Sequence, residues 1–511
     1  MKSIIKILYH RVSLIVAAIL AQIFVLIAVI FTFNEYFVAF YWVSILISTI
    51  AVIWIINDKI NPSYKIVWII PIVLFPIFGG LFYLFFGGKK LSKKNRKKMA
   101  ANTEKILKSL KTQSKNLDEI GEKNENLVVL SRYIQDYGFF PPFKNTISEY
   151  LPLGERKFER LKEELKKAER YIFLEYFIIN EGVMWDSILD ILLEKVRRGV
   201  EVRIIYDDFG CLLTLPYKYN EKLERMGIKC CVFNPIIPLL STRINNRDHR
   251  KIVIIDGHTG FTGGINLADE YINEVEKHGH WKDAAIMLKG EAVLNMTVMF
   301  LSLWDYLKGI EEDYGRFIDN RKVIKTETPS GYYQPFADSP MDDEPVGETV
   351  YLNSINKAKK YIYITTPYLI VSNEMIKALI SAAKGGVDVR IITPHHGDKW
   401  YVHAVTKLNY KVLVESGVKI YEYMPGFIHS KNLIVDNEYG VIGTINLDYR
   451  SFYLHFECGV WMYESPSLME MKKDFLSTLK VCKEINIDDI NNTKWHKLLI
   501  GSILRIFSPL M

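Results

Sequence analysis

The chain contains itself twice. Ala168-Glu-Arg-Tyr-Ile-Phe-Leu-Glu-Tyr176 returns as Ala358-Lys-Lys-Tyr-Ile-Tyr-Ile-Thr-Thr366, and Gly199-Val-Glu-Val-Arg-Ile-Ile205 returns as Gly386-Val-Asp-Val-Arg-Ile-Ile392. Each segment runs or alternates apolar as a buried strand does. Between the members of each pair lies a helical pattern, Ser187 to Arg198 and Asn373 to Lys384, closed by Gly199 and by Gly385 and Gly386. Strand, helix, strand predicts a βαβ unit. Two copies predict two α/β domains of one ancestry, each a sheet flanked by helices, with equivalent elements free to meet at a shared interface.

The repeat sets provisional boundaries. A first unit spans 137–325 and a second 345–485, joined across 326–344, where Pro329, Gly331, Pro335, Pro340 and several acidic residues interrupt the pattern. The polar segment from Ala100 to Asp136, the larger part of 89–136, reads as a linker with helical character rather than as a core-forming unit. In the tail, 486–511, Trp495, Leu498, Leu499, Ser502, Ile503 and Ile506 share a helical face opposite Lys494, Lys497, Gly501 and Arg505. Such a helix either packs on the catalytic units or inserts at a membrane surface.

Residues 1–88 are apolar out of proportion. Val12 to Phe33, Tyr36 to Ile56 and Tyr64 to Phe86 each approach the ~20 residues a helix needs to cross hydrocarbon, so two or three transmembrane helices are expected. The run from Lys89 to Lys98 that follows should stay on the cytoplasmic side against anionic lipid heads, which makes this a multi-pass protein of the cell membrane with its catalytic part inside. A net charge of +7 suits an anionic partner, lipid or nucleic acid. The five cysteines form no C-x-x-C pair, which argues against zinc and against a disulfide-stapled secreted domain.

The duplication extends into chemistry. His249-Arg-Lys251-Ile-Val-Ile-Ile-Asp256 is matched by His429-Ser-Lys431-Asn-Leu-Ile-Val-Asp436, both H-x-K-x-x-x-x-D, and each is followed at the same offset by an asparagine, Asn266 or Asn446. Histidine and lysine two apart on a strand face the same side, so each half presents an imidazole with an ammonium. Phosphodiester transfer needs a nucleophile, an acid for the departing alkoxide, and fixed cations and amide donors for the non-bridging oxygens. His249 and His429 can fill the first two roles; Lys251, Lys431, Asn266 and Asn446 can bind the phosphate. No carboxylate cluster of magnesium-ligand character accompanies them, so neither metal nor cofactor is expected. His278, His280, His395 and His396 lack neighbours that would complete a metal site and are read as loop or pocket-rim residues; Glu175, Asp207 and Asp208 lie at or near strand ends.

These paired motifs resemble the phospholipase D superfamily, and the flanks resemble its bacterial cardiolipin synthases. The resemblance covers most of the chain, through Tyr206-Asp207-Asp208-Phe-Gly210, Arg247-Asp-His-Arg-Lys251, Trp281-Lys-Asp283, Gly426-Phe-Ile-His-Ser-Lys431, Asn446-Leu-Asp448-Tyr-Arg450-Ser451 and Ser508-Pro509-Leu510. It implies two phospholipase D-like domains in pseudo-two-fold arrangement after the transmembrane helices. It also implies phosphatidyl transfer between two phosphatidylglycerol molecules to give cardiolipin and glycerol through a phosphohistidine, with His249 as nucleophile and His429 as acid and base. Asp256 and Asp436 join the catalytic set as residues that orient or charge-balance the histidines and lysines, unless they are simple strand-end turn formers. Partners are then phosphatidylglycerol, cardiolipin and an anionic membrane surface, not nucleic acid. Hydrolysis, phosphatidylserine synthesis and nucleic-acid cleavage use the same motifs, and a non-catalytic lipid binder could keep the fold. Asp248 stands where the family pattern has Asn, and Thr444 where it has Ser.

Overall fold

The computed structural model describes residues 37–59, 61–75, 103–110, 114–236, 245–319, 330–342 and 344–511, with positions 20, 24, 79, 80 and 83 besides. Most of the first predicted span and the basic run from Lys89 to Lys98 lie outside these residues. The second apolar stretch forms helix α1 (Phe37–Asn57), and α2 (Pro62–Leu74) follows. Asn61 starts α2: its side chain accepts from the Ser63 amide, and Pro62 sits in the first turn, where a missing N–H costs nothing. The two pack through Ala51, Ile55 and Ile72. Among the described residues no helix is long and apolar enough to cross a membrane; α2 has 13 residues against the ~20 required.

The polar segment after Ala100 departs from expectation. Helices α3 (Ser114–Lys123) and α4 (Glu125–Asp136) bury Leu117, Ile120, Leu127, Leu130 and Ile134 in the main core, and the Ser131 hydroxyl donates to Gln334 at 2.8 Å. Few apolar residues made the segment look like a linker. Their spacing of three and four nevertheless puts them on one face, which is what a packed helix requires.

The first half supplies β1 (Thr146–Leu151), β2 (Tyr171–Tyr176), helix α5 (Val183–Arg197), β3 (Glu201–Asp207), β4 (Lys229–Phe233), β5 (Arg247–Asp248), β6 (Ile252–Ile255), β7 (Thr259–Gly263), β8 (His280–Lys282), β9 (Ala285–Gly290) and helix α6 (Val293–Lys308). Seven of the strands form one sheet in the order β1-β9-β7-β6-β2-β3-β4, with β2, β3 and β4 parallel. The predicted βαβ unit is β2-α5-β3. Helix α5 starts before Ser187 because the Asp269 carboxylate, distant in sequence, accepts from the Val183 and Met184 amides at 3.0 and 2.9 Å.

The second half supplies β10 (Tyr332–Asp338), β11 (Tyr361–Thr365), β12 (Leu369–Ile370), α7 (Asn373–Lys384), β13 (Asp388–Pro394), α8 (Trp400–Val414), β14 (Lys419–Tyr423), β15 (Gly426–Ile428), β16 (Asn432–Val435), β17 (Tyr439–Gly443), β18 (Leu447–Asp448), β19 (His455–Tyr463), α9 (Ser467–Leu479), β20 (Cys482–Glu484) and α10 (Trp495–Arg505). The main sheet runs β10-β19-β17-β16-β11-β13-β14-β20, which repeats the strand order of the first half and adds β20. The sequence repeat is therefore a repeat of topology. It also corrects the reading of 326–344 as a linker, since 332–338 is strand β10. Pro335 is tolerated because β10 lies at the sheet edge, paired only with β19 on the path.

Two short parallel ladders stitch the halves together. Arg247 and Asp248 of β5 pair with His455 and Phe456 of β19, and His280 to Lys282 of β8 pair with Gly426 to Ile428 of β15. One core runs through both halves, with Phe173 and Ile254 in the same cluster as Ile434 and Trp461. If α4 belongs to that core, Leu130→Ala should lower unfolding stability by about 2–5 kcal/mol in a denaturant titration; a loss under about 1 kcal/mol would restore the linker reading.

Candidate active site

Each H-x-K-x-x-x-x-D segment crosses between two sheets. The residues just before it belong to a ladder shared with the other half, β5 or β15, and its apolar run enters its own half's sheet as β6 or β16. Histidine and lysine occupy the crossing. The extended backbone keeps them on one side, and each lysine ammonium reaches the carbonyl of its own histidine, Lys251 to His249 at 2.5 Å and Lys431 to His429.

The cross-half ladders then do something reciprocal. The His249 amide donates to the Phe456 carbonyl at 2.9 Å, and the His429 amide to the Lys282 carbonyl at 2.7 Å. One residue further on, each opposing strand offers a carboxylate. Glu457 lies 2.9 and 3.1 Å from His249 Nδ1, and Asp283 lies 2.6 Å from His429 Nδ1. Glu457 also accepts from the Thr444 hydroxyl, and Asp283 from the Ala284 amide at 2.7 Å. A carboxylate on Nδ1 fixes the tautomer, so Nε2 is the nitrogen left for chemistry on both rings.

The site is buried and crowded with basic side chains. His249, Lys251, His429 and Lys431 are all buried. Burial, then Lys251, Lys431 and His429, hold the His249 imidazole well below its usual range. Burial and Lys431 take His429 down to about 4 against the pull of Asp283. Burial lowers Lys251 to about 8 and Lys431 to about 7. Burial would raise Asp283, but Lys431 and His429 overcome it and keep the carboxyl below the ordinary value. These mutual effects bring both imidazoles and both lysines into one electrostatic neighbourhood. Their walls are aromatic: Phe177 meets His249 edge-on at 5.1 Å, while Tyr271, Trp281 and Phe427 surround His429. Such a site presents two neutral imidazoles and a ready anion cradle.

Three predicted residues, Asp256, Asp436 and Asn266, need correction. Asp256 and Asp436 stand at the far ends of β6 and β16, five residue steps or about 16 Å of extended chain beyond the lysines. Asp256 accepts from the amides of Glu169, Arg170 and Tyr171 at 2.8 to 2.9 Å. Asp436 accepts from those of Lys359, Lys360 and Tyr361 at 2.7 to 2.8 Å. Both adopt positive φ, 52° and 56°. They are turn formers that cap the start of β2 and β11, and they do not orient the histidines. Asn266 accepts from the Ile178 amide at 3.1 Å and donates to the Tyr271 hydroxyl at 2.6 Å, so it braces the loop after β2 and a ring beside His429. Asn446 is buried, hydrogen-bonded to Asp448, and its side-chain oxygen has no partner among the described residues.

Other residues go unforeseen. Asp283 stands in a segment that carried the family resemblance, but nothing in its spacing marks it as the partner of His429. Glu457 carries no local signal at all, and Thr444, marked only as standing where the family pattern has Ser, gave no sign that it would hold Glu457. Arg250 bridges Glu175 at 2.6 Å and Asp248 at 3.2 Å beneath the site, and Asp207 accepts from the Asp248 amide at 3.0 Å. These acids hold the motif segment rather than line a pocket. His455, 5.5 Å from His249 between ring centres, accepts from Arg450 Nε at 3.2 Å. Ligand atoms of His249, His455 and Glu457 lie within 4.8 Å of one another, a donor set of transition-metal type. The surrounding cations Lys251, Lys431 and Arg450 oppose a dication there.

Comparison with known proteins agrees with this geometry. The chain matches the family described as "Cardiolipin synthase, PLD-like domain" over residues 161–304 and 351–479, and "Phospholipase D-nuclease N-terminal" over 45–88. It is 43% identical to an uncharacterized protein of Streptococcus mutans, covering 90% of this chain and 99% of that one. It is 34% identical to cardiolipin synthase 2 of Bacillus anthracis, covering 88% and 87%. Its fold resembles the crystal structure of phosphatidylserine synthase from Haemophilus influenzae, at TM-score 0.56 and 15% identity, over 75% of this chain and 100% of that one.

If Asp256 is a backbone cap, Asp256→Ala strands three amide donors and should cost about 2–4 kcal/mol in thermal or urea unfolding. Lys251→Met should leave stability nearly unchanged or raised, because it removes a charge whose burial outweighs the pull of the carboxylates around it. The opposite pattern, an intact Asp256→Ala fold and a collapsed Lys251→Met, would exchange the roles of the two residues.

Proposed function

The chain belongs to the cardiolipin synthase family with phospholipase D-like domains, and from that premise we propose that it makes cardiolipin by moving a phosphatidyl group from one phosphatidylglycerol to another, with release of glycerol. The observation that carries this reading is the reciprocal arrangement of two buried imidazoles, each backed by a carboxylate from the opposite half and accompanied by a lysine.

The steps follow from the groups available. Neutral His249 attacks phosphorus through Nε2, forming a P–N bond as the P–O bond to the glycerol head breaks. An anionic phosphate between the lysines offsets the positive field, so His429 can hold a proton, which it gives to the departing glycerol alkoxide. A glycerol hydroxyl of the second phosphatidylglycerol then gives its proton to neutral His429, its oxygen attacks phosphorus, and the P–N bond breaks to free His249. Glu457 and Asp283 stabilise whichever imidazole is cationic. Lys251 and Lys431 neutralise the non-bridging oxygens, and Asn446 adds a polar contact to the phosphate. Aromatic walls limit water, which favours transfer over hydrolysis.

The amino-terminal region is the membrane attachment. Trp42, Leu46, Ile50, Ile53 and Trp54 of α1 and Ile66, Val73 and Leu74 of α2 are exposed apolar side chains that water would not tolerate at this density. In this reading the catalytic halves lie on the cytoplasmic side, and the basic run from Lys89 to Lys98 meets anionic lipid heads.

Purified protein given phosphatidylglycerol vesicles should yield cardiolipin and glycerol in equal amounts, separated by thin-layer chromatography. Phosphatidic acid without cardiolipin would make it a hydrolase. His249→Ala and His429→Ala should each lower turnover by about a thousandfold or more with the fold intact, and a radiolabelled phosphatidyl-enzyme should be trapped in the parent but not in His249→Ala. A near-normal rate in either variant would remove that histidine from the mechanism.

The lysines set an alkaline limit. Their folded values, about 7 for Lys431 and about 8 for Lys251, lie below the usual lysine value, so each ammonium is present below its value and lost as pH rises through it. The KM for phosphatidylglycerol should therefore increase between pH 7 and 9 in buffers of constant ionic strength. A flat KM across that range would show that the lysines do not bind the phosphate.

A further inference from the structure

Helix α10 is built inside out. The face that touches the protein is narrow, Gly501 with the half-buried Leu504: Gly501 packs on Leu408 of α8, so closely that a Cβ there would lie 3.1 Å from a Leu408 methyl carbon. The apolar face predicted from sequence points away. Trp495 is 73% exposed, Leu499 53% and Ile503 54%, with Ile500 and Phe507 beside them. A helix docked for stability alone would bury these residues; this one spends its apolar face on its surroundings.

The patch is continuous with the amino-terminal helices and extends toward the catalytic histidines. Leu504 of α10, Val402 and Val405 of α8 and Tyr64 of α2 share one apolar cluster, so the three helices form a single body on this side. Helix α2 is further tied to the catalytic half by Asn61 to the Tyr453 hydroxyl and Ser63 to the Tyr449 hydroxyl, both at 2.9 Å. Helix α8 begins at Trp400, 69% exposed, directly after Lys399, whose charge is felt by the His249 imidazole. Charge also selects the occupant. From Thr493 to Met511 the chain carries Lys494, Lys497 and Arg505 and no acidic residue, and from Lys399 to Val414 it carries Lys399, Lys407 and Lys411 and again none.

We propose that α10 and the start of α8 form an interfacial surface that lies in the headgroup region of an anionic phospholipid bilayer and holds the catalytic mouth against it. This deepens the reading of the site as a phospholipid transferase and rests on it. Outward tryptophan and aliphatic side chains enter the acyl boundary while the lysines and arginine at the rim meet lipid phosphates. A substrate diester then needs to rise only from the bilayer surface past Trp400 to reach His249. Without this contact, α1 and α2 alone would tether the protein and leave the mouth free to tilt away.

The test uses full-length protein in vesicles of phosphatidylglycerol and phosphatidylcholine. In a Cys482→Ser background, where the remaining four cysteines are buried, an environment-sensitive fluorophore is attached at Ile503→Cys or, as a control, at Met469→Cys on α9, which is 53% exposed. Lipids carrying a quencher near the head of the acyl chain should quench the probe at 503 at least about twofold and leave that at 469 unchanged. No quenching at 503 overturns the proposal, and a 503 to 503 disulfide formed on mild oxidation of the unlabelled Ile503→Cys protein in its place would assign the patch to a second copy. The Leu499→Glu/Ile503→Glu variant should form cardiolipin from vesicles about tenfold more slowly than the parent, yet act within about twofold on monomeric short-chain phosphatidylglycerol. Equal loss on both substrates with an unchanged unfolding midpoint also overturns it. Quenching at 503 in a parent that makes no cardiolipin would uphold the surface and sink the transferase reading instead.

Discussion

The site depends on two short parallel ladders between the halves, β5 with β19 and β8 with β15. They are only two and three residues long, yet they fix a register. Because His249 takes the Phe456 carbonyl, the next residue of that strand, Glu457, must meet its ring; because His429 takes the Lys282 carbonyl, Asp283 must meet the other. Side chains alternate along a strand, so a slip of one residue would turn each carboxylate away and leave its imidazole unsupported. The halves thus complete each other: neither contains a histidine, a lysine and the carboxylate that orients the histidine.

This sharing has an electrostatic consequence. Two lysines and two imidazoles in a buried space repel one another, and burial alone disfavours every charge among them. Among the described residues, two carboxylates stand in direct contact with the rings, Glu457 and Asp283. Burial therefore lowers the charge of the site, keeping the histidines neutral. A phosphodiester brings the missing negative charge, so binding and activation are one event: the anion that restores the lysines' full charge also permits one imidazole to carry a proton. The same balance explains why the Arg250, Glu175 and Asp248 network sits below the motif. A buried arginine between two carboxyls fixes the crossing segment without adding net positive charge to the pocket.

Much of this was legible in the chain. The duplicated strand and helix segments predicted two α/β halves because hydrophobic period and glycine stops are local properties, and the common strand order of the two sheets is what a duplicated sequence must produce. The histidine and lysine positions were equally open to reading, since a two-residue spacing on extended chain fixes a common side. Other residues misled. Asp256 and Asp436 share the motif's regularity, but that regularity belongs to the turn at the end of the strand. Asn266 follows at a constant offset for the sake of a loop. The helices at 114–136 looked like a linker because charged residues outnumber the six apolar ones that carry their packing.

By itself, then, the sequence determined the fold class, the repeat, the paired imidazoles and ammoniums, and the amphipathic character of the final helix, all of which follow from residues close together in the chain. Only the tertiary structure decided that Glu457 serves His249 and Asp283 serves His429, that the motif aspartates are backbone caps, and that the last helix turns its apolar face outward. Those outcomes depend on which backbone lies opposite which across hundreds of residues of separation, and local pattern carries no information about a partner that distant.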